Sequence, residues 1–264
     1  MVILITGISS GFGLETARLL SQEGHTVYGT VRREVEPLPK VHYLKVDVRD
    51  RQAVADAIGQ VVAQEGRIDV LVNNAGMGIG GPVEFATEEE IREQMDANFM
   101  GLVHFVTAVL PYMRAQGKGK IIALSSIGGL MGLPFQGFYS ASKFAIEGYC
   151  EALRLETRAM GVTVTVIRPG DFSTGFTGSR KKTANAEALQ VYKTYAESMG
   201  KVEHDETGGL KPQVLAQKIS KIIRKQHPRY GYVVASFEQR LSVLLKRMLP
   251  ASWFARILGS YYKL

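Results

Sequence analysis

Tyr139 and Lys143 stand four positions apart in the stretch Y-S-A-S-K, with only small Ser140, Ala141 and Ser142 between them. On a helix, residues at i and i+4 share a face, one above the other. An ammonium beside a phenol favours the phenolate, and each unit of pKa lowering corresponds to about 1.4 kcal/mol. Such a pair can exchange protons. Taken alone, it reads equally as a surface tyrosine beside a solvated lysine.

A second constellation lies near the start of the chain, where residues 6–13 read T-G-I-S-S-G-F-G. It follows an apolar run at 2–6 and opens a helix-like segment. In that position Gly7 allows a tight turn, Gly11 lets backbone approach a pyrophosphate, and Gly13 lets helix and strand pack closely. The helix N-terminus then presents free N–H groups to phosphates. Glycines alone signal only a turn; their place between strand and helix strengthens the reading.

The elements that must position these groups are legible. Runs rich in Val and Ile occur at 2–6, 25–31, 41–46, 68–72, 120–125, 162–167 and 230–234. They are mostly continuous rather than alternating, as strands covered on both faces read. Helix candidates lie between them at about 12–23, 50–65, 88–115, 139–160 and 211–226. The pattern predicts an α/β fold: a single-domain, doubly wound parallel sheet, Rossmann-like, over residues 1–264, with ligands at the carboxyl ends of the strands. Residues 171–210 break the rhythm around a short helix near 185–199. They are expected to hang over the strand ends as a substrate loop.

Four motifs in order resemble the short-chain dehydrogenase/reductase family in its compact single-domain branch: TGISSGFG, NNAG at 73–76, Ser126 followed by YSASK, and RPG at 168–170. The likeness runs in register from residue 2 to about 176 and more loosely to about 234. The resemblance implies an oxidoreductase acting on CH–OH groups, with Asn98, Ser126, Tyr139 and Lys143 as a catalytic tetrad and no metal. Hydride transfer to a carbonyl carbon builds negative charge on oxygen, and Tyr139 would supply the proton. Ser126 would hold and polarise that oxygen. Lys143 would acidify the phenol, and Asn98 would anchor a water leading protons to solvent. Plainer roles compete: Ser126 capping a turn while Ser125 is the polar group, Asn98 marking a helix bend, Thr174 as a loop hydroxyl.

The resemblance also places Gly7, Ser9, Ser10, Gly11, Phe12 and Gly13 against the cofactor, with Tyr139 and Lys143 touching it as well. Asp47 and Val48 fall at the adenine edge and Asn74 on the adenosine side, with Ala75, Gly76, Pro169 and Gly170 also touching the cofactor. Thr174, after the Pro-Gly turn, would bond the nicotinamide carboxamide. Asp47 could instead cap the next helix. NAD-specific sites place an acid at the end of the second strand. Here that point reads Y-G-T-V-R-R-E, with Arg32 followed by Arg33. A guanidinium suits a 2′-phosphate, and Ser10 could add a hydrogen bond, so NADP(H) is expected. Glu34 or Glu36 could instead neutralise these arginines. A non-catalytic NADP(H)-binding regulatory protein on the same fold is the alternative, although such sensors typically lack the Tyr or Lys found here. Sugar-nucleotide epimerisation would normally come with a longer chain.

Apolar residues at 130–138 and 171–176, chiefly Met131, Leu133, Phe135, Phe138, Phe172 and Phe176, predict a wall for a lipophilic ketone or alcohol. The helix with Val191, Tyr192, Tyr195 and Met199 is expected to border it. The general look is similar to hydroxysteroid, retinol and keto-sphinganine branches. Eleven Lys and Arg against the single acid Glu238 lie between Lys211 and Leu264, so this stretch carries more than the whole formal charge of +7. In 236–264 the charges interleave with apolar residues, as in a basic amphipathic segment. It either packs on the domain or rests peripherally on an anionic membrane or a partner. No recognition motif accompanies the charge, so nucleic acid is not an expected partner. One cysteine excludes an internal disulfide and is compatible with a reducing compartment. With no basic start or cleavage site before the first run, and no apolar stretch of roughly 18 residues, a cytoplasmic protein is expected. The family commonly pairs through its two long helices, which implies a homodimer or homotetramer. Ala141, Ala145, Gly148 and Ala152 suit either that contact or packing on the sheet.

Overall fold

The computed structural model describes residues 1–182 and 185–264; Thr183 and Ala184, inside the predicted insertion, lie outside the described residues. All seven apolar runs become strands of one parallel sheet: β1 (Val2–Ile5), β2 (Thr26–Val31), β3 (Val41–Lys45), β4 (Val70–Asn73), β5 (Gly119–Leu124), β6 (Val162–Pro169) and β7 (Gly231–Val234). Their order is β3-β2-β1-β4-β5-β6-β7. The order reverses between β1 and β4, which opens a crevice at their carboxyl ends.

Helices cover both faces: α1 (Gly11–Gln22), α2 (Arg51–Glu65), α3 (Glu88–Met95), α4 (Gly101–Ala115), α5 (Gly137–Glu156), α6 (Tyr195–Thr207), α7 (Pro212–Ile223), α8 (Phe237–Met248) and α9 (Ala251–Tyr261). Alternate strand residues point to opposite faces. Leu4, Leu71 and Ile121 therefore pack with Val54 of α2 and Phe105 and Val109 of α4. Ile3, Ile5, Val70 and Ile122 pack with Leu20 of α1 and Ile219 of α7. Both layers are buried, which explains why the strands read as continuous apolar runs.

One expectation is refined, one alternative is set aside and one expectation is corrected. The helix predicted over 88–115 is α3 and α4 joined by one π turn, Asp96–Met100; the extra residue turns Asn98 into the core, where its amide is bonded. The cap of α2 is Asp50, which accepts from Gln52 N and Ala53 N, and not Asp47. The helix near 185–199 is two pieces, Ala186–Val191 and α6. The insertion is also tied down: Lys181–Lys182 pairs with Ile79–Gly80, and Ser173 N bonds Leu210 O at 2.9 Å. On α5, Ala141, Gly148 and Ala152 are exposed rather than packed on the sheet.

The C-terminal segment forms α8 and α9. They dock through Val243 and Phe254 onto Ile127 and Met131, just beyond β5.

Candidate active site

Thr6 and the loop after β1 are shaped by side chains from neighbouring strands. The Thr6 hydroxyl accepts from Asn74 N and Ala75 N, both at 2.9 Å. The Asn74 amide donates to Thr6 O and Gly7 O, and the Thr30 hydroxyl accepts from Gly7 N. Gly7 has φ +70, a conformation that suits glycine. A Cβ on Gly13 would fall 2.1 Å from Gly7 O, so α1 can meet the loop this closely only through glycine. Ser10 at the N-cap makes no side-chain bond to the helix, which leaves the first amides of α1 available. This cradle fits a dinucleotide pyrophosphate. Asn74 is thus engaged in bracing the loop, a role its type did not reveal.

At the other end of the crevice, Arg32 and Arg33 are exposed beyond β2. Asp47 is held in a bidentate pair by Arg49, with Nη2–Oδ2 at 2.6 Å. That bond, with the Arg49 and Arg32 charges, keeps its carboxyl below the ordinary range despite partial burial. Arg49 is a third cation of this corner that sequence reasoning missed. Gly7, Ser9, Ser10, Gly11, Phe12, Arg32, Asp47, Val48, Asn74, Ala75 and Gly76 all line one cleft, of about 1420 Å³. Gly13 lies beneath it.

The same cleft reaches Ser126, Tyr139, Lys143, Pro169, Gly170 and Thr174. Tyr139 stands in the first turn of α5, half-buried. Its hydroxyl is held above the ordinary phenol value by burial, and the neighbouring Ser126 hydroxyl pulls the other way. Ser126, not Ser125, faces Tyr139; it also accepts from Gly128 N at 3.0 Å, so it caps a turn as well. Ser125 instead lies toward Lys143 O.

Lys143 is buried, and its Nζ donates to Leu124 O at 2.9 Å and sits 5.7 Å from the Tyr139 ring centroid. Burial pushes its pKa down to about 8, with the Glu147 charge opposing. Burial, rather than the expected acidification by Lys143, therefore sets the tyrosine's pKa in this structure. Asn98 accepts from Met77 N at 2.8 Å and donates to Met77 O and Ser142 Oγ at 3.0 Å. Three of its four side-chain hydrogen-bonding valences are thus engaged by protein, leaving one on Oδ1. Gly76 shows that Asn98 and Lys143 converge: a Cβ there would lie 3.1 Å from Asn98 Oδ1 and 3.7 Å from Lys143 Nζ. Thr174 accepts from Phe176 N and lies against Gly11, so it spans from the insertion to the phosphate loop.

Met131, Leu133, Phe172 and Phe176 line the cleft as expected. Phe135 does not; it packs with Tyr192 and Tyr195 in a separate aromatic group. Phe138, Val191 and Met199 are not in the wall either. Their place is taken by Leu241, Leu245, Phe254 and Leu258 of α8 and α9. A carboxylate group stands beside this apolar wall. Asp171 accepts from Gln239 Nε2 at 2.6 Å, and its pKa is pushed up to about 6 by burial and by the charges of Glu206 and Asp205. Glu206 is paired with the buried Arg180 and bonded by Thr177. Asp205 accepts from Tyr261.

The chain matches the family model described as short chain dehydrogenase over residues 1–185. It belongs to the short-chain dehydrogenase/reductase family. Its relatives include a protein of Bacteroides thetaiotaomicron named 3-ketodihydrosphingosine reductase, 47% identical over 262 residues, covering 99% of this chain and 97% of that protein. Human 17-beta-hydroxysteroid dehydrogenase type 1 is 42% identical over 191 residues, 66% of this chain and 58% of that protein. A short-chain dehydrogenase from Streptomyces avermitilis shares the fold with a TM-score of 0.81 at 27% identity, over 99% of this chain and 96% of its own. Family members use nicotinamide cofactors, and further structures of this fold were solved with NAD and with NADP bound. The protein is an oxidoreductase of this family. Among the described residues, no helix is long and apolar enough to cross a membrane.

Proposed function

We propose that the protein is an NADP(H)-dependent ketone reductase, with a long-chain keto-amine as substrate and Tyr139 as proton donor. The observation that carries this is Tyr139 and Ser126 brought side by side in a cleft that joins a phosphate cradle to an apolar wall. When bound, the reduced nicotinamide supplies hydride to the carbonyl carbon. The chain supplies everything else. Ser126 orients and polarises the carbonyl oxygen, and Tyr139 delivers a proton to it. Burial keeps the tyrosine protonated at neutral pH, which suits a donor. Lys143 and Asn98 stand behind it as the route by which the proton is replaced, and the free valence of Asn98 Oδ1 accepts a water on that route.

Arg32 and Arg33 favour a 2′-phosphate over a bare ribose hydroxyl, since a guanidinium gains charge-assisted hydrogen bonds only from the former. Arg49 adds charge but is already paired with Asp47. The keto-amine reading rests on the full-length likeness to the Bacteroides protein and on the setting of Asp171. An ammonium beside a carbonyl would meet a carboxylate there, while the hydrocarbon chain meets Met131, Phe172 and Leu245.

The test is NADPH and NADH oxidation, followed by absorbance, against a long-chain 2-amino-3-ketone, a neutral long-chain ketone, a 17-ketosteroid and retinal. Fastest kcat/KM with the amino ketone and NADPH is expected. Preference for the steroid or retinal would overturn the substrate, and preference for NADH the cofactor.

A further inference from the structure

Helices α8 and α9 are apolar on two faces, and only one of those faces is covered. The covered face carries Val243, Phe254 and Tyr262, which are 7%, 3% and 9% exposed. The outward face of α8 carries Phe237, Leu241, Leu244 and Met248, spaced by three or four positions so that they form one stripe. Their exposures are 71%, 42%, 50% and 71%. On α9, Trp253, Ile257 and Tyr261 repeat the pattern at 61%, 49% and 48%. One apolar face suffices to dock a helix on its own domain, and a second, contiguous one marks an interaction surface.

Two further observations say what covers it. Arg240, Arg247 and Arg256 stand exposed on the same helices, and Glu238 is the only acid from Phe237 to the C-terminus. The stripe is also continuous with the cleft, because Leu241, Ile257 and Tyr261 line the cleft and are exposed beside it. A second copy of the chain meeting this face about a two-fold axis would bring the arginines of both copies together, which is unfavourable. An anionic lipid surface matches both the apolar stripe and its basic flank.

We propose that α8 and α9 rest on an anionic membrane surface, the stripe at the acyl boundary and the arginines among the head groups, with the cleft opening into the lipid. The entry of substrate from the bilayer past Leu241 and Ile257 rests on the lipophilic reading above; the docking rests on the surface alone. Trp253 is the only tryptophan of the chain and lies in the stripe, so it reports on docking without any assay of turnover.

The experiment mixes the full chain with vesicles of phosphatidylcholine alone, or of phosphatidylcholine and phosphatidylglycerol in equal parts. Flotation and Trp253 emission are then measured. A blue shift and co-flotation with the anionic vesicles are expected, with about tenfold weaker binding to neutral ones and weakening by added salt. A triple variant, Phe237→Gln, Leu244→Gln and Met248→Gln, changes residues outside the cleft wall. It should bind anionic vesicles at least about tenfold more weakly while melting at an unchanged temperature. Unshifted emission without flotation overturns the proposal, as does equal binding by the triple variant. So does sedimentation showing that the stripe instead drives dimerisation, lost in the variant, with vesicles unbound.

Discussion

A tyrosine at the edge of a cleft and a lysine behind it share one cause for their altered acidity: both have lost water. For Lys143 the sign can be worked out. Its folded-state value, about 8, lies below its ordinary 10.5. Between those values the unfolded chain holds the extra proton, so the folded protein gains stability as pH rises through that window. Lys143→Met removes the gain. Urea unfolding of the two proteins should show a stability difference that changes by about 2–3 kcal/mol from about pH 8 to about pH 10; a constant difference would mean that the ammonium is better solvated than its surroundings suggest. Asp171 moves the other way, to about 6. If its carboxylate meets the substrate ammonium, kcat/KM for the amino ketone falls below about pH 6 while that for a neutral ketone does not. Asp171→Asn, which keeps the shape and the Gln239 contact, should raise KM for the amino ketone about tenfold, roughly 1.4 kcal/mol, and spare the neutral one. Equal effects on both substrates would assign Asp171 a merely structural part. At this scale the meeting of Tyr139, Lys143 and Ser126 in one cleft was legible from the order of the motifs. Thr6, Thr30, Ser142 and Asp171 were not, because a hydroxyl or carboxyl declares its partner only once distant strands and helices are assembled.

At the scale of the element, the π turn Asp96–Met100 is the feature most tightly coupled to the site. It interrupts an otherwise regular helix so that Asn98 can hold the Met77 backbone on one side and Ser142 of α5 on the other. Asn98→Ala leaves the Met77 N–H and C=O without that partner. A loss of stability of about 1–3 kcal/mol is expected, with a fall in kcat larger than any change in cofactor affinity. Unchanged unfolding and unchanged kcat would show the turn to be incidental. A single wide turn leaves no trace in a helical hydrophobic pattern, which is why 88–115 reads as one helix. The glycine spacing of the loop after β1 was legible, but the Thr6, Thr30 and Asn74 bonds that shape it were not; Gly13→Ala should weaken dinucleotide binding at least about tenfold by calorimetry, because the added methyl displaces Gly7 O.

Over the whole molecule, the sheet order follows from seven strongly apolar runs and right-handed crossovers, and the crevice follows from the sheet order. Less could be read of the substrate end. Phe135 and Tyr195 have the residue types of a pocket wall, yet composition does not say to which side of a loop a ring turns, and theirs turn to each other. The helices that do build the wall, α8 and α9, come from a segment that reads as a tail, since their inward face acquires a purpose only against Ile127 and Met131. The cleft thus joins the first loop of the chain to its last helices, and Tyr139 sits where the two ends meet. That placement makes the tyrosine's proton the central issue, and Tyr139→Phe tests it most directly. With NADPH and the long-chain amino ketone, the variant should bind NADPH as the parent does by fluorescence titration while its kcat drops by about a thousandfold or more. Turnover within a few-fold of the parent would contradict Tyr139 as the proton donor.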